Sequence, residues 1–173
     1  MSYLSKFASL VRLNLNASQQ NKIQLQDEIQ LLKNYLELEK LRFKNKFDFQ
    51  VLVDSGMDVL NISIPPLLIQ PFVENAIIHG ISNKKSDGYI SVILEKVENR
   101  LKVVVSDNGE EEFNNSSSVH VSRGISLTNK RLQIINKSLN MNQVNIITKK
   151  DSSNKKIGLD ITLEIVLDST SIR

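Results

Sequence analysis

The sequence predicts an α+β fold: a helical hairpin first, then helices segregated onto one face of a largely antiparallel sheet. The first of three observations is helical spacing of apolar residues over 3–16 and 25–43. The second is a switch to strict alternation from Phe47 onward. The third is the order that follows, one apolar helix among strands and a closing pair of alternating segments, which suits a two-layer sandwich.

Residues 3–16 place Leu4, Phe7, Ala8, Val11 and Leu15 at helical spacing, a stripe that has to lie against something. "ASQQNKIQ" over 17–24 reads as a polar connection. "LQDEIQLLKNYLELEKLRF" is the strongest helix, with Leu25, Ile29, Leu32, Leu36 and Phe43 in one stripe and Leu31, Tyr35, Leu38 and Leu41 widening it. Asp27 and Glu28 near its start and Lys40 and Arg42 near its end complement the helix dipole. So broad an apolar surface suits contact with both the chain's own domain and a partner.

"FDFQVLVD" sets Phe47, Phe49, Val51 and Val53 on one strand face, and "VLNISI" offers a second strand. Pro65-Pro66 opens a buried helix, "PLLIQPFVENAIIHGI", since proline is tolerated in a first turn. "GYISVILEKV" and "RLKVVVSD" are strands joined at Glu98-Asn99; 110–123 is a polar loop; "GISLTNKRLQIINKSL" is an amphipathic helix; "QVNIITKKD" and "GLDITLEIVLD" close the sheet as a hairpin.

Composition excludes more than it selects. The 173 residues carry 22 basic and 19 acidic side chains, a net charge of +3 too evenly spread for nucleic-acid binding. Cysteine is absent, which removes disulfides, thiol catalysis and thiolate-bound metals. His79 and His120 are the only histidines, and neither sits in a metal-ligand spacing or beside the Ser116–Ser118 run in triad fashion. No apolar run approaches the ~18 residues of a membrane span.

Three short segments carry chemistry. In "QPFVENAIIHG", Asn75 and His79 are four apart and share a helix face, with Val73, Ala76 and Ile77 on the core side and Gly80 as a helix terminator. An amide and an imidazole there suit an oxygen-ligated cation and a phosphate; a plain polar helix edge is the alternative. In "VVVSDNG", three valines end in Asp107, a carboxylate that is costly at a buried strand end unless paired, and for which a purine amino group is a suitable donor. Gly109 allows close approach to the backbone, although Asn-Gly also suits a tight hairpin turn. In "RGISLTNKRL", Gly124 opens a helix whose first N–H groups form a phosphate seat, with Arg123, Lys130 and Arg131 adding positive charge; an ordinary loop-to-helix join reads the same way.

The order of the three resembles the N, G1 and G2 boxes of the GHKL ATPase superfamily. "LLKNYLELEKLRF" followed by "IPPLLIQPFVENAIIHG" resembles sensor histidine kinases of the LytS-type class, over about Leu4 to Ile165. The resemblance implies a Bergerat-type two-layer α/β sandwich with a mixed sheet over 46–173, behind a partial helical dimerisation and phosphotransfer region over 1–45. It implies ATP and Mg²⁺ as cofactors. Asn75 would coordinate the metal, Glu74 would orient water or the reacting group, and His79 would lie near the phosphates. Asp107 would receive the adenine amino group with Gly109 beneath the ring. Residues 110–123 would form a lid; Gly124 and the following amides of Ile125, Ser126 and Leu127 would meet the phosphates, with Asn129 in the same helix. The partners implied are a response regulator and a second copy bound through the N-terminal helices. The chain would be a cytoplasmic part of a parent anchored in the bacterial cytoplasmic membrane.

This sequence departs from the family's pattern at three places. The phospho-acceptor histidine of a "HFLFN"-like stretch is absent, so the expectation is a fragment acting on a histidine outside this chain. Glu110, Glu111 and Glu112 follow "DNG", and Ser126 replaces a glycine of the last box. These leave a second expectation, a degenerate module serving dimerisation or regulator docking. Pro71 stands where superfamily members that hydrolyse ATP carry a carboxylate, which argues against that type of hydrolysis.

Overall fold

The computed structural model describes residues 3–82, 84, 87–109, 144–150 and 156–167. Helix α1 spans Tyr3–Ser18, strand β1 Ile23–Gln24, helix α2 Leu25–Arg42, strand β2 Phe47–Val53, strand β3 Ser63–Ile64 and helix α3 Gln70–Asn75. A π-helical turn, Ala76–Ile81, continues α3; strands β4 (Gly88–Val97), β5 (Arg100–Asp107), β6 (Val144–Lys150) and β7 (Lys156–Val166) complete the order.

The main sheet has five strands in the order β2-β4-β5-β7-β6. β2 pairs parallel with β4, and β4–β5, β5–β7 and β7–β6 are antiparallel. The predicted α+β sandwich is therefore present, with one parallel pair at the edge. Alternation explains its two faces. Ile90, Val92 and Leu94 of β4, Leu101, Val103 and Val105 of β5, and Leu159, Ile161, Leu163 and Ile165 of β7 point into one core. The other face mixes apolar residues such as Leu52, Ile93 and Val104 with polar ones that pair across strands: Lys102 Nζ lies 3.2 Å from Glu95, Arg100 3.0 Å from Glu164, and Gln50 bonds Ser91.

Helices α2 and α3 cover the apolar face. Leu25, Ile29, Leu32 and Leu36 of α2 join the sheet residues in the same core, as do Phe72, Val73, Ala76, Ile77 and Ile81. Each large apolar side chain buried this way stabilises the fold by about 1.5–3 kcal/mol. Leu31 and Leu38, on the widened flank of α2, are buried as well. Leu31 meets Ala17 and Ile23 in a small second cluster.

Four local expectations change. The α1 stripe of Leu4, Phe7, Val11 and Leu15 is exposed, and Leu10 and Ala17 are the buried residues of that helix, because among the described residues its main neighbour, α2, covers only one side. The stretch 17–24 is not simply a connection: α1 runs to Ser18, and Ile23–Gln24 pairs with Ser63–Ile64. "VLNISI" contributes only those last two residues, and in a separate small sheet. The helix after Pro65-Pro66 begins at Gln70, since Leu67 takes a left-handed φ of 55° that interrupts helical geometry. Among the described residues no helix is long and apolar enough to cross a membrane.

Candidate functional site

The site is built where the α3 segment crosses the end of β5. Pro71 sits in the first turn of α3, where its missing N–H costs nothing. Phe72, Val73 and Ile77 anchor the segment in the core, leaving Glu74 and Asn75 half-buried on the other side. Glu74 Oε1 accepts a hydrogen bond of 2.8 Å from Gln70 Nε2, one turn earlier. The Nδ2 of Asn75 is buried with no hydrogen-bond partner among the described residues. Buried polar atoms are nearly always satisfied, so this amide awaits an oxygen from elsewhere.

After Asn75 the segment widens into the π-helical turn, and His79, half-buried, lies within it. The Ser82 N–H reaches back to Ile77 O at 2.9 Å, the five-residue spacing of such a turn. Gly80 is therefore not a terminator, since the turn continues to Ile81. The α spacing that gives Asn75 and His79 a common face does not hold through a wider turn.

Strand β5 ends in Asp107, 5% exposed, with its Oδ1 accepting the Gly109 N–H at 2.7 Å. This side-chain turn takes the place of the tight hairpin turn that Asn-Gly also suggested. Asn108 fixes the strand end from the other side. Its Nδ2 donates to Asp87 O at 2.9 Å, its Oδ1 accepts from Tyr89 N–H at 2.8 Å, and its carbonyl accepts from Lys84 Nζ at 2.9 Å.

Three glycines hold these pieces together at contact distance. A Cβ on Gly80 would stand 2.5 Å from Asp107 Oδ1, and one on Gly109 would stand 2.3 Å from the Gly80 Cα. A Cβ on Gly158, at the start of β7, would stand 2.2 Å from Asp107 O. Gly109 thus has a reason within the chain itself: its missing side chain makes room for the Gly80 backbone. The roles of Gly80 and Gly158 were not read from the sequence. The one available signal was a glycine five residues after Asn75, paired with another two residues after Asp107.

Of the predicted site residues, Glu74, Asn75, His79, Asp107 and Gly109 lie on these two adjoining elements. Gly124, Ile125, Ser126, Leu127 and Asn129, the 110–123 loop, Glu110–Glu112, Arg123, Lys130, Arg131, Ser116–Ser118 and His120 lie outside the described residues. Among the described residues no group of three or more His, Cys, Asp or Glu side chains could hold a metal ion by itself.

Comparison with known proteins follows the same lines. The histidine kinase family pattern matches residues 1–47. The sensor protein LytS of Oceanobacillus iheyensis is 34% identical over 107 residues, 62% of this chain and 18% of that protein. The sensor histidine kinase/phosphatase LytS of Staphylococcus aureus strain MRSA252 is 33% identical over 108 residues, again 62% and 18%. Over this stretch the chain is similar to LytS-type sensor proteins.

It matches 18% of the length of these LytS relatives. The fold agrees with solved histidine kinases. The histidine kinase domain of the Erythrobacter litoralis EL346 blue-light-activated kinase superposes with a TM-score of 0.60 at 13% identity, covering 99% of this chain and 77% of that one. The catalytic domain of histidine kinase ThkA gives 0.55 at 16% identity, covering 84% and 93%. The Bergerat-type sandwich expected of the LytS-type class is thus the fold observed.

Proposed function

We propose that this chain is the ATP-binding, catalytic region of a two-component sensor histidine kinase, directed at a histidine outside the chain whose phosphoryl group passes to a response regulator. The observation that carries the proposal is the junction of two elements. The amide-bearing Asn75 and the carboxylate-bearing Asp107 stand on neighbouring elements that Gly80 and Gly109 bring into backbone contact. The Staphylococcus aureus relative is named a sensor histidine kinase/phosphatase, which favours this reading over a degenerate docking module.

The residues present fit a magnesium nucleotide. The orphaned Asn75 amide offers a donor to a phosphate or water oxygen through Nδ2 and a ligand to a cation through its oxygen. Asp107, fixed by the Gly109 N–H, offers a carboxylate at a buried strand end to an exocyclic amine. When bound, ATP with Mg²⁺ supplies the transferable phosphoryl group with its charge partly neutralised. The chain's own part is positioning. Glu74, held by Gln70, would accept a proton or orient the acceptor; Asn75 would hold the phosphate end and Asp107 the base end. Gly124, Ile125, Ser126, Leu127 and Asn129 complete the phosphate seat in this reading, and 110–123 the lid. A homodimer through α1, and a parent anchored in the cytoplasmic membrane with this region on the cytoplasmic side, complete the proposal.

Calorimetric titration with ATP and Mg²⁺ tests it. Binding in the micromolar to millimolar range is expected, and Asp107→Asn is expected to weaken it by tenfold or more, the scale of one charge-assisted hydrogen bond. No heat at millimolar nucleotide would remove the proposal.

A further inference from the structure

A buried acid outside the nucleotide site ties the helical hairpin to it. Glu28, in the first turn of α2, is 1% exposed. Its Oε2 accepts the Leu67 N–H at 2.8 Å and its Oε1 the Ile69 N–H at 3.0 Å. Leu67 is in the left-handed conformation, φ 55°, which aims two nearby N–H groups at one anion. Such a backbone state is unfavourable for a leucine and persists only where its surroundings enforce it. Ile69 is the residue from which α3 starts, so the carboxylate grips the chain directly before the helix that bears Asn75. Along a helix those six residues amount to about 9 Å.

The grip is reinforced on the same side. Leu25 N–H bonds Ile62 O at 2.8 Å, Gln26 N–H bonds Val59 O at 3.2 Å, and Ile23–Gln24 pairs with Ser63–Ile64. The start of α2 is therefore laced to 59–69, and 59–69 leads without interruption into α3.

We infer that Glu28 is a positioning residue for the nucleotide site: its carboxylate fixes where the Asn75 helix begins relative to α2, so that displacement of α2 moves Asn75. The role rests on the proposed nucleotide reading, but the mechanical coupling does not. Glu28→Gln preserves shape while setting an amide N–H₂ against one of the two backbone donors. Leu32→Ala, in the same helix and core, removes apolar contact while leaving the Glu28 carboxylate in place.

The test measures native-state hydrogen exchange and Mg²⁺-ATP titration on the whole 173-residue chain. In Glu28→Gln, exchange at Leu67, Ile69 and through 70–81 is expected to accelerate by about tenfold relative to β5, with ATP binding weakened by about tenfold. Leu32→Ala is expected to lower Tm while leaving exchange over 67–81, relative to β5, as in the wild type. Wild-type exchange over 67–81 in folded Glu28→Gln overturns the inference. If Glu28→Gln does not fold, Glu28→Asp, one methylene shorter, carries the same comparison with a smaller expected acceleration. If the wild type binds no ATP, the nucleotide reading falls, and the exchange result still decides the role of Glu28.

Discussion

Gly80 lies against the carboxylate of Asp107 so closely that a Cβ added to Gly80 would stand 2.5 Å from Oδ1 and 2.7 Å from Cγ. Real Cβ atoms do not approach so near, so one of the two elements has to move for any larger residue. The Asn75 helix and the Asp107 strand are thus mutually indexed by a missing methyl group.

Gly80→Ala is expected to rotate the Asp107 side chain away, a cheaper response than moving backbone. ATP affinity should fall by about tenfold or more, while stability falls by only about 1 kcal/mol. Gly109→Ala meets the Gly80 backbone instead, which has no rotamer to change. That variant should lose about 1–3 kcal/mol as well as nucleotide binding. Urea unfolding beside calorimetry separates the two, and equal stability losses would contradict the geometry.

Asn108 secures the strand end through its side chain to Asp87 and Tyr89. Asn108→Ala is expected to cost about 1 kcal/mol, with faster hydrogen exchange at Tyr89 and over 87–89, while the β5–β7 pairing stays protected. Uniform loosening of the sheet would show that the bond is not local.

Tyr35 gives a pH signature. Burial first, then the Glu39 and Glu74 carboxylates, raise its hydroxyl above the ordinary 10.0, with Arg42 opposing. Because the folded-state value is the higher one, the associated stability is fully present below pH 10 and is lost as pH rises above it toward the folded value. Thermal unfolding from about pH 9 to about pH 11 should show the wild type losing Tm faster than Tyr35→Phe. Parallel curves would place Tyr35 in ordinary solvent.

The outward stripe of α1 bears on assembly. Leu4 is 74% exposed and Leu15 59%, and Tyr3, Phe7 and Val11 lie with them. A second copy is the proposed cover. Light scattering after size exclusion should give a dimer, and Phe7→Asp or Leu15→Asp should shift it to monomer with Tm of the monomer unchanged. A monomer in the wild type at tens of micromolar would refute that cover.

The sequence by itself determined the kinds of element. Alternation in "FDFQVLV", "YISVIL" and "LKVVV" and the stripe Leu25-Ile29-Leu32-Leu36 report local burial period, which depends only on neighbours along the chain. The order of Glu74-Asn75 and Asp107-Asn108-Gly109 was legible because each motif is contiguous in the chain. Only the tertiary structure decided that β2 pairs parallel with β4, that Gly80 sits on Asp107 and Gly109 on Gly80, that Gly158 clears the Asp107 carbonyl, and that Glu28 holds Leu67 and Ile69. Each of these joins residues far apart in sequence. Their contact depends on where whole elements cross, a matter of shape and close packing that no local period encodes.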